Sequence, residues 1–280
     1  MRDLSKDRSL LAINSATVKP WTLEQLVEGC ARAGITAIAP WRDIVQAAGV
    51  EKAGNLIRAG GLTVTCYCRA GLFPASDEAG RRATLDDNRR AVDEAAAIGA
   101  RSLVLIAGGL PKGSKDLAGA HQQVHDGIAA LLPYARAAGV PLAIEPLHPM
   151  YAADRACVNT LAHANDLCDR LGEGSGKDLG LAVDAYHIWW DPDLPRQIAR
   201  AGKRILTYHV CDWLVPTRDL LLDRGMPGDG VIDLRAIRAM VEATGYNGHI
   251  DIEIFSAQNW WKREPSEVLR ICLERHQTVV

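Results

Sequence analysis

One phrase recurs along the 280 residues: a helix-like stretch, a glycine, then a short apolar run rich in β-formers. It appears as GCARAGITAIAP around Gly34, as LIRAGGLTVTCYC around Gly60, and as EAAAIGARSLVLIA around Gly99. It returns as YARAAGVPLAIE around Gly139, IARAGKRILTYHV around Gly202 and MVEATGYNGHIDIEIF around Gly245. Glycine after a helix takes the left-handed cap that side chains disfavour. The apolar runs are continuous rather than alternating, which suits parallel strands covered on both faces. Strands are expected at about eight places: 10–14, 36–39, 62–68, 102–107, 141–145, 180–184, 204–209 and 249–254. Helix starts fit between them. Thr22-Leu23-Glu24-Gln25 is a capping box, Asp233 caps a helix at Leu234–Thr244, and Pro265 suits a first turn.

Eight such units point to an α/β fold, one (β/α)8 TIM barrel domain spanning residues 1–280. A doubly wound sheet is the competitor. It should carry G-x-G-x-x-G after its first strand, where this chain has Asn14-Ser15-Ala16-Thr17. Lys and Arg number 32 against 34 Asp and Glu, a net charge of −2, and the isoelectric point is near 6.4. That balance argues against nucleic acid and anionic membranes as partners. No run reaches 18 apolar residues and the first residues lack a leader's apolar stretch, so a cytoplasmic location is expected. The seven cysteines are scattered without a zinc spacing and read as reduced, buried small hydrophobes.

Four expected strands end on a residue that does not belong in a barrel core: Glu145, Asp184, His209 and Glu253. Burying a carboxylate costs several kcal/mol unless it is paired or bound to a cation. Three carboxylates from neighbouring strands would also repel one another. A divalent metal resolves both problems, and the imidazole completes a four-ligand set. Three hard oxygens and one nitrogen suit Mn²⁺, with Mg²⁺ or Co²⁺ as alternatives.

The motifs around these residues resemble the xylose isomerase-like barrels of sugar isomerases and epimerases, including ketose 3-epimerases. They are IEP at Glu145, VDAYH from Asp184 to His187, HVCD at His209, PGDGVID at Pro227–Asp233, and GYNG with IEI ending beyond Glu253. The likeness runs from GCARAGI to the last helix. It implies that Glu145, Asp184, His209 and Glu253 bind the metal, that Glu145 and Glu253 are the acid–base pair, and that His187 contacts a substrate oxygen. The implied activity is a metal-dependent isomerase or epimerase acting through a metal-stabilised enediolate on a small sugar or polyol-derived ketone.

The chain also departs from the pattern. Ketose epimerases place an arginine six residues after the strand-7 histidine, where this chain has Val215; Arg218 is preferred over Arg224 as its replacement. Strand 2 ends Ala39-Pro40-Trp41-Arg42, without the carboxylate many relatives have. Three alternatives stand beside the main reading. One is a lyase of the inosose-dehydratase type, and one is a non-catalytic sugar-binding or partner-subunit barrel. The last, a DNA-repair endonuclease of the superfamily, is disfavoured by the acidic charge balance.

All seven tryptophans fall in segments that follow strands, on the expected metal face. Trp41 and Trp190 are expected to wall a substrate pocket, with loop anchoring or a homo-oligomer contact as the other uses. His148, three residues beyond Glu145, is expected to touch substrate. Asp212 is expected to orient His209 or a loop backbone. His121, His125, His163 and His276 lie on helix patterns and need no role. Gly172–Lys177 superficially resembles a phosphate loop but leads into a strand, so it reads as a surface turn. Gly108–Lys115 follows strand 4 and reads as a solvated loop.

Overall fold

The computed structural model describes residues 1–172 and 176–280; the centre of the Gly172–Lys177 run lies outside them. Each expected strand is present. They are β1 (Leu11–Asn14), β2 (Ala37–Ala39), β3 (Thr63–Val64) with β3′ (Tyr67–Gly71), β4 (Leu103–Ile106), β5 (Leu142–Glu145), β6 (Leu179–Asp184), β7 (Ile205–Val210) and β8 (Ile250–Ile252). All pair in parallel, in the order β3-β2-β1-β8-β7-β6-β5-β4-β3′. The two ends of that order are consecutive pieces of one chain segment, so the sheet closes on itself as a TIM barrel. Thr65 N–H reaches Ile38 O at 2.9 Å and Tyr67 N–H reaches Ser102 O at 2.8 Å across the join.

The sequence suggests one unbroken strand at 62–68. It is split because its first piece pairs with β2 and its second with β4, with a register shift between Cys68 and Ala70. Such an irregularity re-aims the side chains of a barrel strand.

The ten helices run α1 (Leu23–Ala33), α2 (Arg42–Ala48), α3 (Val50–Ala59), α4 (Glu78–Ala97), α5 (Leu117–Ala137), α6 (Leu161–Leu171), α7 (Ala185–Ile188), α8 (Leu194–Ala201), α9 (Leu234–Ala243) and α10 (Pro265–Thr278) among the described residues. The Thr22 capping box forms, with Gln25 N–H donating to Thr22 Oγ1 and Thr22 N–H to Gln25 Oε1. Asp233 caps α9 through Ala236 N–H, and Pro265 opens α10. In the third unit Gly61 (φ 65°), not Gly60 (φ −75°), takes the left-handed conformation.

Strand side chains alternate between faces, so residues two apart share one. Leu142, Ile144, Leu181, Val183, Tyr208 and Ile252 join the large buried cluster that includes the helices' apolar residues. The other face is built small: Ala39, Cys66, Cys68, Val104, Ala143 and Ala182 form a separate buried cluster. Ala143, Ala182, Thr207 and Asp251 each precede one of the four expected ligands by two residues and therefore make the layer beneath them. No helix among the described residues is long and apolar enough to cross a membrane.

Candidate metal centre

Glu145 ends β5, Asp184 ends β6, His209 lies in β7, and Glu253 follows β8 by one residue. Register places Asp184 opposite His209, and Glu253 N–H continues the ladder to Val210 O at 3.1 Å. The result is a convergence the strands impose: one ligand atom from each of the four side chains lies within 4.8 Å of the others. All four residues are buried.

Their hydrogen bonding is incomplete in a specific way. Glu145 Oε1 and His209 Nδ1 are buried with no hydrogen-bond partner, although a buried polar group without one costs free energy. His209 Nδ1 faces Glu145 Oε1 at 3.6 Å and Glu253 Oε2 at 3.8 Å. Its other nitrogen, Nε2, sits 3.3 Å from Cys66 Sγ and 3.8 Å from Asp251 Oδ2. Asp251 is in turn held by Thr65 Oγ1 and Thr207 Oγ1. A proton on Nε2, directed at this lower layer, leaves the Nδ1 lone pair for a cation, as partners behind a ligating histidine do. Burial pushes the Glu145 carboxyl up to about 7, and Asp184 is raised by burial too despite Arg224 beside it. The donor set and its two orphaned atoms fit a divalent ion.

Other groups fix this set. Asn14 Nδ2 and Trp41 Nε1 donate to Glu253 Oε1 at 2.9 and 3.1 Å. Asp184 Oδ1 accepts from Tyr186 N–H. His187 Nδ1 accepts from His148 N–H at 3.1 Å, and its Nε2 faces Arg224 Nη2 at 3.2 Å and Asp184 Oδ2 at 3.6 Å. Burial and the Arg224 charge hold His187 well below the ordinary histidine range.

The arginine expectation is corrected. Arg218 turns away, with its side chain 60% exposed and ion-paired to Asp223 at 2.6 Å. Arg224 enters instead: Nη1 reaches Asp184 Oδ2 at 3.1 Å and Glu253 Oε2 at 3.4 Å, between the rings of Tyr186 and Phe255. The cause is a short antiparallel ribbon, Asp212–Trp213 with Arg224–Gly225, which brings position 224 back to β7.

A cavity of about 210 Å³ opens over Glu145 and Glu253. Trp41, Glu145, His187, Arg224, Glu253 and Phe255 line it, together with Ile106, Leu147 and Leu221 and with three residues sequence reasoning missed: Arg69, Tyr151 and Arg155. Trp190 and His148 are not part of this lining. Their rings pack with each other, and His148 also packs against Trp213, while Trp190 Nε1 donates to His187 O, so they buttress His187 from behind. Trp260 and Trp261 anchor loops through Asp229 and Ala16 O. Of the seven tryptophans only Trp41 lines the cavity among the described residues. Asp212 orients loop backbone rather than His209, accepting from Gly228 and Ile232 N–H.

Comparison with known proteins follows the same lines. A family model described as xylose isomerase-like TIM barrel matches residues 27–272. The crystal structure of protein SMc04130 from Sinorhizobium meliloti 1021 superposes with a TM-score of 0.94 at 59% identity, covering 98% of this chain and 99% of that one. The IolI protein with a bound zinc atom superposes with a TM-score of 0.82 at 20% identity, covering 96% and 97%, a likeness of fold. Inosose isomerase of Bacillus velezensis is 29% identical over 150 residues, 51% of this chain and 49% of that protein. The matched stretch thus spans about half the length of the curated relative.

Proposed function

The chain belongs to the xylose isomerase-like TIM barrel family, and from that premise we propose that it is a metal-dependent isomerase or epimerase of a small sugar or polyol-derived ketone. The reading rests above all on the four convergent ligand atoms, two of them buried without a partner. Glu145, Asp184, His209 and Glu253 would hold one divalent ion, with Mn²⁺ the best match to three oxygens and one imidazole. When bound, the ion would polarise the ketone and acidify the neighbouring C–H.

The chain's own groups divide the remaining work. Glu145 and Glu253 come from β5 and from the end of β8 and both line the cavity. One carboxylate takes the proton from carbon. Its return by the other to the opposite face gives epimerisation, and its return to the adjacent carbon gives isomerisation. Asn14 and Trp41 fix the Glu253 carboxylate. His187 lines the cavity as the contact for a substrate oxygen, its ring held by His148 N–H at Nδ1 and by Arg224 beside Nε2. Arg224 offsets the crowded negative charge of Asp184 and Glu253. Trp41 and Phe255, packed edge to face at 5.2 Å, give the ring an apolar wall.

At about 210 Å³ the cavity is below the ~300 Å³ where drug-sized pockets begin, so it takes a single small ring. The test is deuterium wash-in at carbon from heavy water, run on Mn²⁺-loaded protein with a panel of ketoses and keto-inositols. Incorporation into at least one ketone, lost in Glu145→Gln and Glu253→Gln, is the expected result. No exchange with any ketone would refute the reading.

A further inference from the structure

The charges around the cavity do not balance once an ion is present. Glu145, Asp184 and Glu253 supply three negative charges when ionised. A divalent ion and Arg224 together offset them, because Arg224 already reaches both Asp184 and Glu253. Two further guanidinium groups, those of Arg69 and Arg155, line the same cavity. Neither has an ion-pair partner among the described residues, in contrast to nearby Arg42, which is paired with Asp87 and Glu94.

Arg69 leaves β3′ half-buried, where burial and the Arg155 charge both pull its guanidinium down from its ordinary value. Arg155 lies over the Tyr151 ring, 5.6 Å from its centre. The Tyr151 hydroxyl is itself buried without a hydrogen-bond partner. Two guanidinium groups without an ion-pair partner, half-buried Arg69 and exposed Arg155, converge beside a buried phenol without a partner and are together complementary to an anion.

We propose that the substrate carries an anionic substituent, a carboxylate or a phosphate, and that Arg69 and Arg155 hold it with the Tyr151 hydroxyl while the ketone faces Glu145 and Glu253. This rests on the metal-centre reading above and narrows it from any small ketone to an acidic one. Arginine suits the task, since its planar fork donates two hydrogen bonds to a carboxylate or phosphate at once. The cavity size limits the rest of the molecule to about one ring.

The experiment uses the full chain saturated with Mn²⁺ and two matched pairs of probes, with affinities read by titration calorimetry. One pair is 3-dehydroshikimate against scyllo-inosose, for the carboxylate; the other is fructose 6-phosphate against fructose, for the phosphate. The acid of one pair should bind about tenfold tighter than its neutral partner or better. Arg69→Gln and Arg155→Gln should each cut that preference, and the double variant should bring it close to one. Mn²⁺ affinity in the variants reports whether the barrel is intact.

Equal affinity within both pairs, or equal weakening of acid and neutral probe in the variants, overturns the inference. Equal weakening would mean that the arginines serve the ketone end. Failure of the wild-type chain to take up Mn²⁺ would instead sink the metal centre, so the two readings fail separately.

Discussion

Two buried polar networks in this barrel use the same kinds of residue and end in opposite states. Between α6 and α8, Arg204 is closed on every side. Its guanidinium pairs with Asp169, donates to Asn165 Oδ1 at 3.0 Å and to Arg200 O at 2.9 Å, and Asn165 Nδ2 continues to Gln197 O at 3.0 Å. None of these side chains has an orphaned buried atom. At the mouth, Glu145, Asp184, His209 and Glu253 are all buried, yet Glu145 Oε1 and His209 Nδ1 are left without partners. The first network completes itself within the chain and serves the fold. The second is complete only with something added.

The contrast can be broken most sharply by catalysis. Glu145→Gln and Glu253→Gln keep shape and remove one charge, and each should lower turnover by about 10²- to 10⁴-fold with the fold intact. Circular dichroism beside the exchange assay checks both halves, and full activity in either variant removes that residue from the mechanism.

His276 tests whether an orphaned atom alone marks function. Both its ring nitrogens are buried without partners, but no metal-ligating cluster surrounds it among the described residues. Burial holds it down to about 4, below its unfolded value near 6.5. The folded chain therefore binds the proton less well than the unfolded chain. The contribution is fully present above pH 6.5 and is lost as pH falls toward 4, by about 3 kcal/mol. Denaturant unfolding across that range should show the loss, and His276→Leu should flatten it; an unchanged slope would contradict this assignment.

An ion should stabilise only through the mouth. Mn²⁺ at a hundredfold excess over its dissociation constant should add about 2.7 kcal/mol, seen as a rise in Tm, and the gain should vanish in His209→Gln. The smallest effect belongs to the closed network. Arg204→Met should cost about 2 kcal/mol by stranding Asn165 and its neighbours, with ion affinity unchanged. A change in ion affinity would show that the two networks are coupled.

Much of this was legible in the chain. The barrel is written in glycine-punctuated apolar runs, because burial on both faces leaves a parallel strand almost no polar residue. For the same reason a single Glu, Asp or His at a strand end stands out, and Glu145, Asp184, His209 and Glu253 could be named. Loops carry no such period. Arg69 and Arg155 are 86 residues apart and line one cavity because β3′, β4 and β5 are neighbours in the sheet. Arg224 displaces Arg218 because of a two-residue ribbon that leaves no pattern in the sequence. Trp190 and His148 sit in the expected segments but turn their rings toward each other, and His148 also toward Trp213, a choice made by packing.

The claim that the mouth is built for an ion is tested most directly by titrating Mn²⁺ into chelator-stripped protein and counting what binds. The account predicts one ion per chain in the wild type and in Arg204→Met, and none bound at comparable affinity in His209→Gln or Glu253→Gln. No binding in the wild type, or undiminished binding after His209→Gln, would contradict it.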